Sequence, residues 1–168
     1  MNRRKGRQMT TIGFEAHDHK HCIQDGLEEL RAQCAAQNLQ LTPVRQRVME
    51  LLLEKHRAIG AYEILDHLRA EGLGSQPPVA YRALDFLVSN GFAHRIERLN
   101  AFVGCAHLGK PHVPAFLICR SCDLVAEAPS GRVSRVLGRA AREIGFQVEK
   151  LVVEAEGLCP SCAEGSPA

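Results

Sequence analysis

The chain has 168 residues, 45% of them hydrophobic, which is enough to bury a core in one domain or two small ones. Its formal net charge is +2, split as 14 basic against 12 acidic residues in Met1–Cys105 and 7 against 7 in Ala106–Ala168, so bulk charge does not announce nucleic acid. No apolar run nears the roughly 18 residues of a membrane helix, and the basic opening Met1–Lys20 lacks the apolar stretch of a secretion signal, so a cytoplasmic protein that engages no membrane is expected.

Residues 1–21 are basic and read as a mobile tail, and the cluster His17-Asp-His-Lys-His21-Cys22 spans its end and the first residue of the next unit. From Asp25 to Lys55 the pattern is helical. Leu27, Leu30 and Cys34 form one apolar stripe, with Cys34 a small core residue, and Val44, Val48, Leu51 and Leu52 form a second. Thr42-Pro43 marks the boundary, since Thr caps a helix and Pro fits its first turn. A third helix from about Ala61 turns Ile64, Leu65 and Leu68 inward and stops at Gly72-Leu73-Gly74. After Pro77-Pro78, a fourth places Ala80, Ala83, Leu84, Leu87 and Val88 on one face and leaves Tyr81, Arg82 and Asp85 outside. Asn90-Gly91 ends it. Phe92–Glu97 and Ala101–Cys105 alternate as strands around a polar turn at Arg98–Asn100. Helices followed by a hairpin read as a winged helix-turn-helix over residues 22–105.

Residues 106–114, with Gly109, Pro111 and Pro114, read as a hinge. Beyond it, the pattern predicts strands at Ala115–Cys119, Leu124–Glu127 and Phe146–Ala155. Between them Val133, Val136, Leu137, Ala140, Ala141 and Ile144 keep helical spacing over Ser130–Ile144. Residues 115–168 thus form a small α/β unit, and the whole chain is α+β. The outward arginines of that helix, Arg132, Arg135, Arg139 and Arg142, read as a solvated face.

Seven cysteines in a cytoplasmic chain of this size indicate metal or redox chemistry rather than a disulfide framework. Cys119-Arg-Ser-Cys122 and Cys159-Pro-Ser-Cys162 are C-x2-C pairs separated by enough chain for a strand, a helix and a strand. Each pair supplies two thiolates from one tight turn, and two turns complete the sulfur tetrahedron of a closed structural zinc site. A thioredoxin-like pair would open a helix, whereas Cys122 leads into a short strand. His94, Cys105, His112 and Glu127 form a looser set drawn from both wing strands, the hinge and the second unit. Individually none is informative, but a metal held by both halves would fix their relative orientation. Tyr81 and Arg82 lie near the start of the helix suited to the major groove, where Arg pairs with guanine and Tyr contacts backbone or a base methyl. Arg45, Arg47, Arg95 and Arg98 are further possible phosphate contacts.

Leu-Thr-Pro-Val-Arg (41–45), Ala-Tyr-Glu-Ile-Leu (61–65), Tyr-Arg-Ala-Leu-Asp-Phe-Leu (81–87), Gly-Phe-Ala-His-Arg-Ile-Glu (91–97) and the two C-x2-C pairs together resemble the ferric uptake regulator family, and within it the zinc uptake branch. The resemblance runs from about Cys22 to Cys162. It implies an N-terminal winged-helix DNA-binding domain and a C-terminal α/β dimerisation domain, acting as a homodimer on palindromic double-stranded operator DNA to repress zinc uptake genes. It also implies two Zn2+ ions per chain. Cys119, Cys122, Cys159 and Cys162 would hold structural zinc, while His94, Cys105, His112 and Glu127 would hold regulatory zinc. Tyr62 joins Tyr81 and Arg82 as a DNA contact by the same likeness. Two departures stand out: Pro-Pro-Val-Ala-Tyr-Arg replaces the usual Thr-Val-Tyr-Arg at the recognition helix, and only His107 and His112 remain of a His-rich stretch that the iron sensors carry.

The thiolate of Cys105 independently favours zinc over iron or manganese. Iron or peroxide sensing, constitutive DNA binding with structural zinc alone, and zinc-dependent catalysis are the competing readings. Glu127 as fourth ligand would close the position that a catalytic zinc keeps for water, so neither an enzyme nor a small-molecule substrate is expected.

Overall fold

The computed structural model describes residue 14 and residues 19–54, 57–108 and 112–165. Apart from Phe14 and residues 19–21, which belong to the first helix, the segment read as a tail lies outside the described residues, as does His17 of the histidine cluster.

Helix α1 (His19–Ala36) leads to α2 (Pro43–Glu54), whose first turn is capped as the sequence indicates: the Arg45 N–H donates to Thr42 Oγ1 at 3.3 Å. A two-residue strand β1 (Ile59–Gly60), too short to leave a pattern, precedes α3 (Ala61–Ala70). Helix α4 (Pro77–Ser89) starts on proline. It ends where Gly91 adopts φ +72°, a backbone state open to glycine without steric cost, and Phe92 N–H reaches Leu87 O at 2.8 Å. That tight stop throws the chain into the hairpin β2 (Ala93–Ile96) and β3 (Ala101–Gly104), which β1 completes as a sheet of order β1-β3-β2. Leu30, Val48, Met49, Leu51, Ile64, Leu68, Leu84, Leu87 and Phe92, contributed by α1 to α4 and the turn after them, are almost wholly buried in one core. Burial of such side chains at about 1.5 to 3 kcal/mol each is what drives this half to fold.

The second half is a sheet of order β5-β4-β6: β4 (Pro114–Cys119) pairs antiparallel with β5 (Val125–Pro129) and parallel with β6 (Val153–Gly157). Helix α5 (Gly131–Glu143) makes the crossover, and the four-residue α6 (Pro160–Ala163) closes the chain. The strand predicted at Phe146–Ala155 is shorter and later. Val153 already pairs with Ala115 near the start of β4, so residues 146–152 run past the edge of the sheet, where no strand among the described residues receives them. Their apolar alternation is real, yet Phe146, Val148 and Val152 are exposed in the single chain.

The halves share a second apolar cluster, in which Ile96 and Val103 of the wing meet Phe116, Ile118 and Val125 of the β4–β5 ladder. A backbone bridge between Arg57 and Leu124 adds to the contact. Among the described residues no helix is long and apolar enough to cross a membrane.

Candidate metal centres and nucleic-acid face

The four paired cysteines come together. One ligand atom from each of Cys119, Cys122, Cys159 and Cys162 lies within 4.8 Å of all the others. Cys119 ends β4, where its N–H is held by Leu124 O at 2.9 Å, and Asp123, at φ +58°, tightens the turn that carries Cys122. Cys159 caps α6, and Pro160 in the first helical position sets the turn that brings in Cys162. The Sγ atoms of Cys122 and Cys159 are 3.7 Å apart, far from a disulfide. That spacing matches the edge of roughly 3.8 Å expected for a sulfur tetrahedron built on 2.3 Å zinc–sulfur bonds. The backbone favours anionic sulfur here. The N–H of Cys159 donates to Cys119 Sγ at 3.3 Å, and this bond, with N–H groups of Ser121 and Cys122, lowers the Cys119 thiol to about 6. At Cys122 the Leu124 N–H also favours thiolate, but burial and the hydrogen bonds shared with the other three thiols outweigh it and push that group up to about 12. Four thiols packed this closely cannot all ionise without a cation to offset the charge.

The looser set also converges: donors of His94, Cys105, His112 and Glu127 lie within 4.8 Å of one another. His94 comes from β2 and Cys105 from the residue after β3, where Cys105 N–H bonds Phe92 O at 2.9 Å. His112 precedes β4 and Glu127 lies on β5. His112 Nε2 is 2.8 Å from Glu127 Oε1 and 3.6 Å from Cys105 Sγ. The second Glu127 oxygen accepts the Ala106 N–H at 3.0 Å, and Cys105 Sγ receives the His107 N–H at 3.3 Å, contacts that orient both donors from behind. Glu127 is buried, with only 6% of its surface exposed.

Three features suit this pocket to a cation. The His94 Nε2 atom is buried and, among the described residues, has no hydrogen-bond partner, a cost that natural cores usually avoid. Burial also lowers the His94 pKa, outweighing the attraction of Glu127, so the ring is held neutral with a lone pair to offer. Burial, reinforced by Glu127, pushes Cys105 up to about 12, so a metal bound here would have to displace the thiol proton. One soft sulfur, two imidazoles and a carboxylate suit four-coordinate zinc.

Tyr62 on α3 and Tyr81 and Arg82 on α4 are solvent-facing, Tyr62 being 67% exposed. The other arginines considered for phosphate are engaged within the chain. Arg47 binds Glu71 at 2.7 Å and also reaches Glu50 and Glu54, Arg45 stacks 3.8 Å over the Phe86 ring, Arg95 reaches Asn100, and Arg98 pairs with Glu156. One residue that sequence reasoning passed over is Glu154, whose carboxylate holds backbone N–H groups of the wing turn. Its partners are amides distant in sequence, so no residue-type pattern marks it.

No protein-family model matches the chain. It is 38% identical over 146 residues to the zinc uptake regulation protein of Escherichia coli (strain K12), covering 86% of this chain and 85% of that one. A solved structure of a zinc uptake regulator complexed with zinc and DNA superimposes with a TM-score of 0.82 at 38% identity, over 85% of this chain and 96% of that chain. The Helicobacter pylori ferric uptake regulator shares the fold at 18% identity, with a TM-score of 0.54 over 90% of this chain and 97% of that one. A relative this similar over nearly the full length of both chains places the protein in the zinc uptake regulator branch of the ferric uptake regulator family.

Proposed function

We propose that this chain is a zinc-responsive transcriptional repressor, binding palindromic operator DNA as a zinc-loaded homodimer in the cytoplasm to control zinc uptake genes. The observation that carries the reading is the convergence of His94, Cys105, His112 and Glu127 from both halves of the chain, with His94 Nε2 unpartnered among the described residues. Each chain holds two zinc ions, a structural one at Cys119, Cys122, Cys159 and Cys162 and a regulatory one at the mixed site. The relative solved with zinc and DNA supports both ligands.

His94, Cys105, His112 and Glu127 would hold zinc at the mixed site, and the bound ion would tie the wing to the β4–β5 hairpin. His94 and Cys105 anchor the wing side and Glu127 the sheet side, while His112 lies in the segment between. Conformers that bring these donors together are therefore favoured, and the chain shifts towards a closed arrangement. Residues 22–105 then act as the DNA-binding domain, 106–114 as the hinge and 115–168 as the dimerisation domain. Closure fixes the spacing of two α4 helices across a dimer at about one DNA turn or a multiple of it. Tyr81 and Arg82 on α4, with Tyr62 on α3, provide the DNA-facing groups.

The dimer is supported by α5. Val133, Val136, Leu137 and Ile144 make an apolar stripe at helical spacing, all exposed, and Ile144 is 82% exposed. A second copy covering these stripes and Phe146 accounts for a surface that water would otherwise face.

Metal content tests the two-site reading. Purified protein should carry close to two zinc ions per chain, of which mild chelation removes one and leaves the other. A single zinc that neither exchanges nor gains a companion on titration would eliminate the sensor.

A further inference from the structure

The halves of the chain also meet away from the mixed metal site. Glu154 on β6 directs its carboxylate at the β2–β3 turn, where Oε1 accepts the Glu97 N–H at 2.7 Å and Oε2 the Arg98 N–H at 3.1 Å. One anionic side chain thus satisfies two successive backbone donors, and such charge-assisted bonds are stronger than neutral ones. Around it, Arg98 pairs with Glu156, and Lys150 Nζ lies 3.3 Å from Glu97 Oε1.

Sheet register explains the placement. Phe116 on β4 stands opposite Glu127 on β5 and Glu154 on β6. Partners across a ladder project to the same face, so these three side chains form one row facing the wing. Glu127 enters the metal site, Phe116 packs on the His94 ring with centroids 5.5 Å apart, and Glu154 grips the turn. Besides its apolar packing through Ile96 and Val103, the wing therefore makes polar contacts at two places, His94 and Cys105 at one and the Glu97–Arg98 amides at the other. The second of these is a directional contact at the turn, and it resists pivoting of the wing about its metal end.

We propose that Glu154 is a positioning residue of the zinc switch: it clamps the wing turn to the dimerisation sheet, so that metal binding sets the orientation of the DNA-binding half. The proposal rests on the repressor reading above. It also makes the wing tip a connector between domains, with its backbone donors spent on Glu154 and unavailable to DNA phosphates.

The test compares wild type with Glu154→Ala, Glu154→Gln and Arg98→Ala, using the duplex enriched from a random pool by the wild-type protein in zinc, at chelator-buffered free zinc. Glu154→Ala should keep its four-cysteine zinc and its dimer, yet need roughly tenfold or more free zinc for half-maximal DNA binding, recovering near wild-type affinity at saturating zinc. Glu154→Gln, which keeps one acceptor oxygen, should shift less. Arg98→Ala should shift least, since the amide it donates remains. Amide hydrogen exchange gives an arm independent of DNA: in zinc-loaded Glu154→Ala the Glu97 and Arg98 amides should lose protection, and in Arg98→Ala they should not. Wild-type zinc dependence in both Glu154 variants overturns the clamp, and so does destabilisation of either variant without a shift in zinc requirement. If Glu154→Ala fails to fold, Glu154→Gln decides the point by the same two readouts. Zinc-independent DNA binding by wild type defeats the repressor reading instead, while the exchange arm still reports on the clamp.

Discussion

Cys105 and Cys119 are both buried thiols, but their surroundings give them opposite chemistry. Backbone N–H groups stabilise the Cys119 thiolate in advance of metal, as befits one corner of a closed cage. Burial and Glu127 push the Cys105 thiol up, and it would join a mixed site beside three N and O donors rather than a cage of four sulfurs, so its metal is proposed to be the more exchangeable of the two. The two serine variants should therefore part company. Cys119→Ser removes a corner of the cage, and since structural zinc contributes directly to folding, the C-terminal half should loosen and the dimer dissociate or aggregate. Cys105→Ser should remain a folded dimer with one tight zinc. Its free-zinc requirement for DNA binding should rise by more than the roughly 10- to 100-fold that losing a partner behind a ligand costs. Size-exclusion chromatography with metal analysis and a DNA titration separates the outcomes. The assignment of the two sites fails if Cys105→Ser keeps wild-type zinc dependence, or if Cys119→Ser stays a stable, zinc-responsive dimer.

At the scale of elements, α4 is the helix proposed to read DNA sequence. Its buried face, Ala80, Ala83, Leu84 and Leu87, locks it into the core, and Arg82 projects from its second turn. Arg82→Ala should cost about 1 to 3 kcal/mol of operator affinity and relax the preference at one base position. Binding measured on operator variants checks this, because equal weakening on every sequence would make Arg82 a phosphate contact. Local patterns announced α4 well: proline at its start, glycine at its end and an apolar stripe between. The same holds for the grouping of the four cysteines, since each pair sits in one turn and only the two turns had to meet. The mixed cluster was legible only through family likeness, because its four donors are scattered over four separate segments and each is ordinary where it stands. Strand β6 was misplaced for a physical reason. Alternation reports a two-faced segment, but a strand exists only where a neighbour offers a ladder, and that begins at Val153. Nothing local marked Glu154, whose partners are backbone amides.

For the whole molecule, the decisive feature is that the interface between the halves is a set of separable contacts. The mixed cluster, the Ile96–Val103–Phe116–Ile118–Val125 core, the Arg57–Leu124 bridge and the Glu154 contact each join the two halves. The apolar core and the hydrogen bonds operate without metal, so on the proposed reading zinc would have only to add a coupling of about 1 to 3 kcal/mol, and operator DNA would tighten zinc binding by the same factor. The most direct measurement of this account is operator affinity across a range of buffered free zinc, with the four-cysteine site kept loaded throughout. Affinity should rise roughly 5- to 150-fold as the second zinc binds, with half-effect at the same free zinc that fills the mixed site when DNA is present. Affinity that stays flat while the second zinc binds would contradict the account.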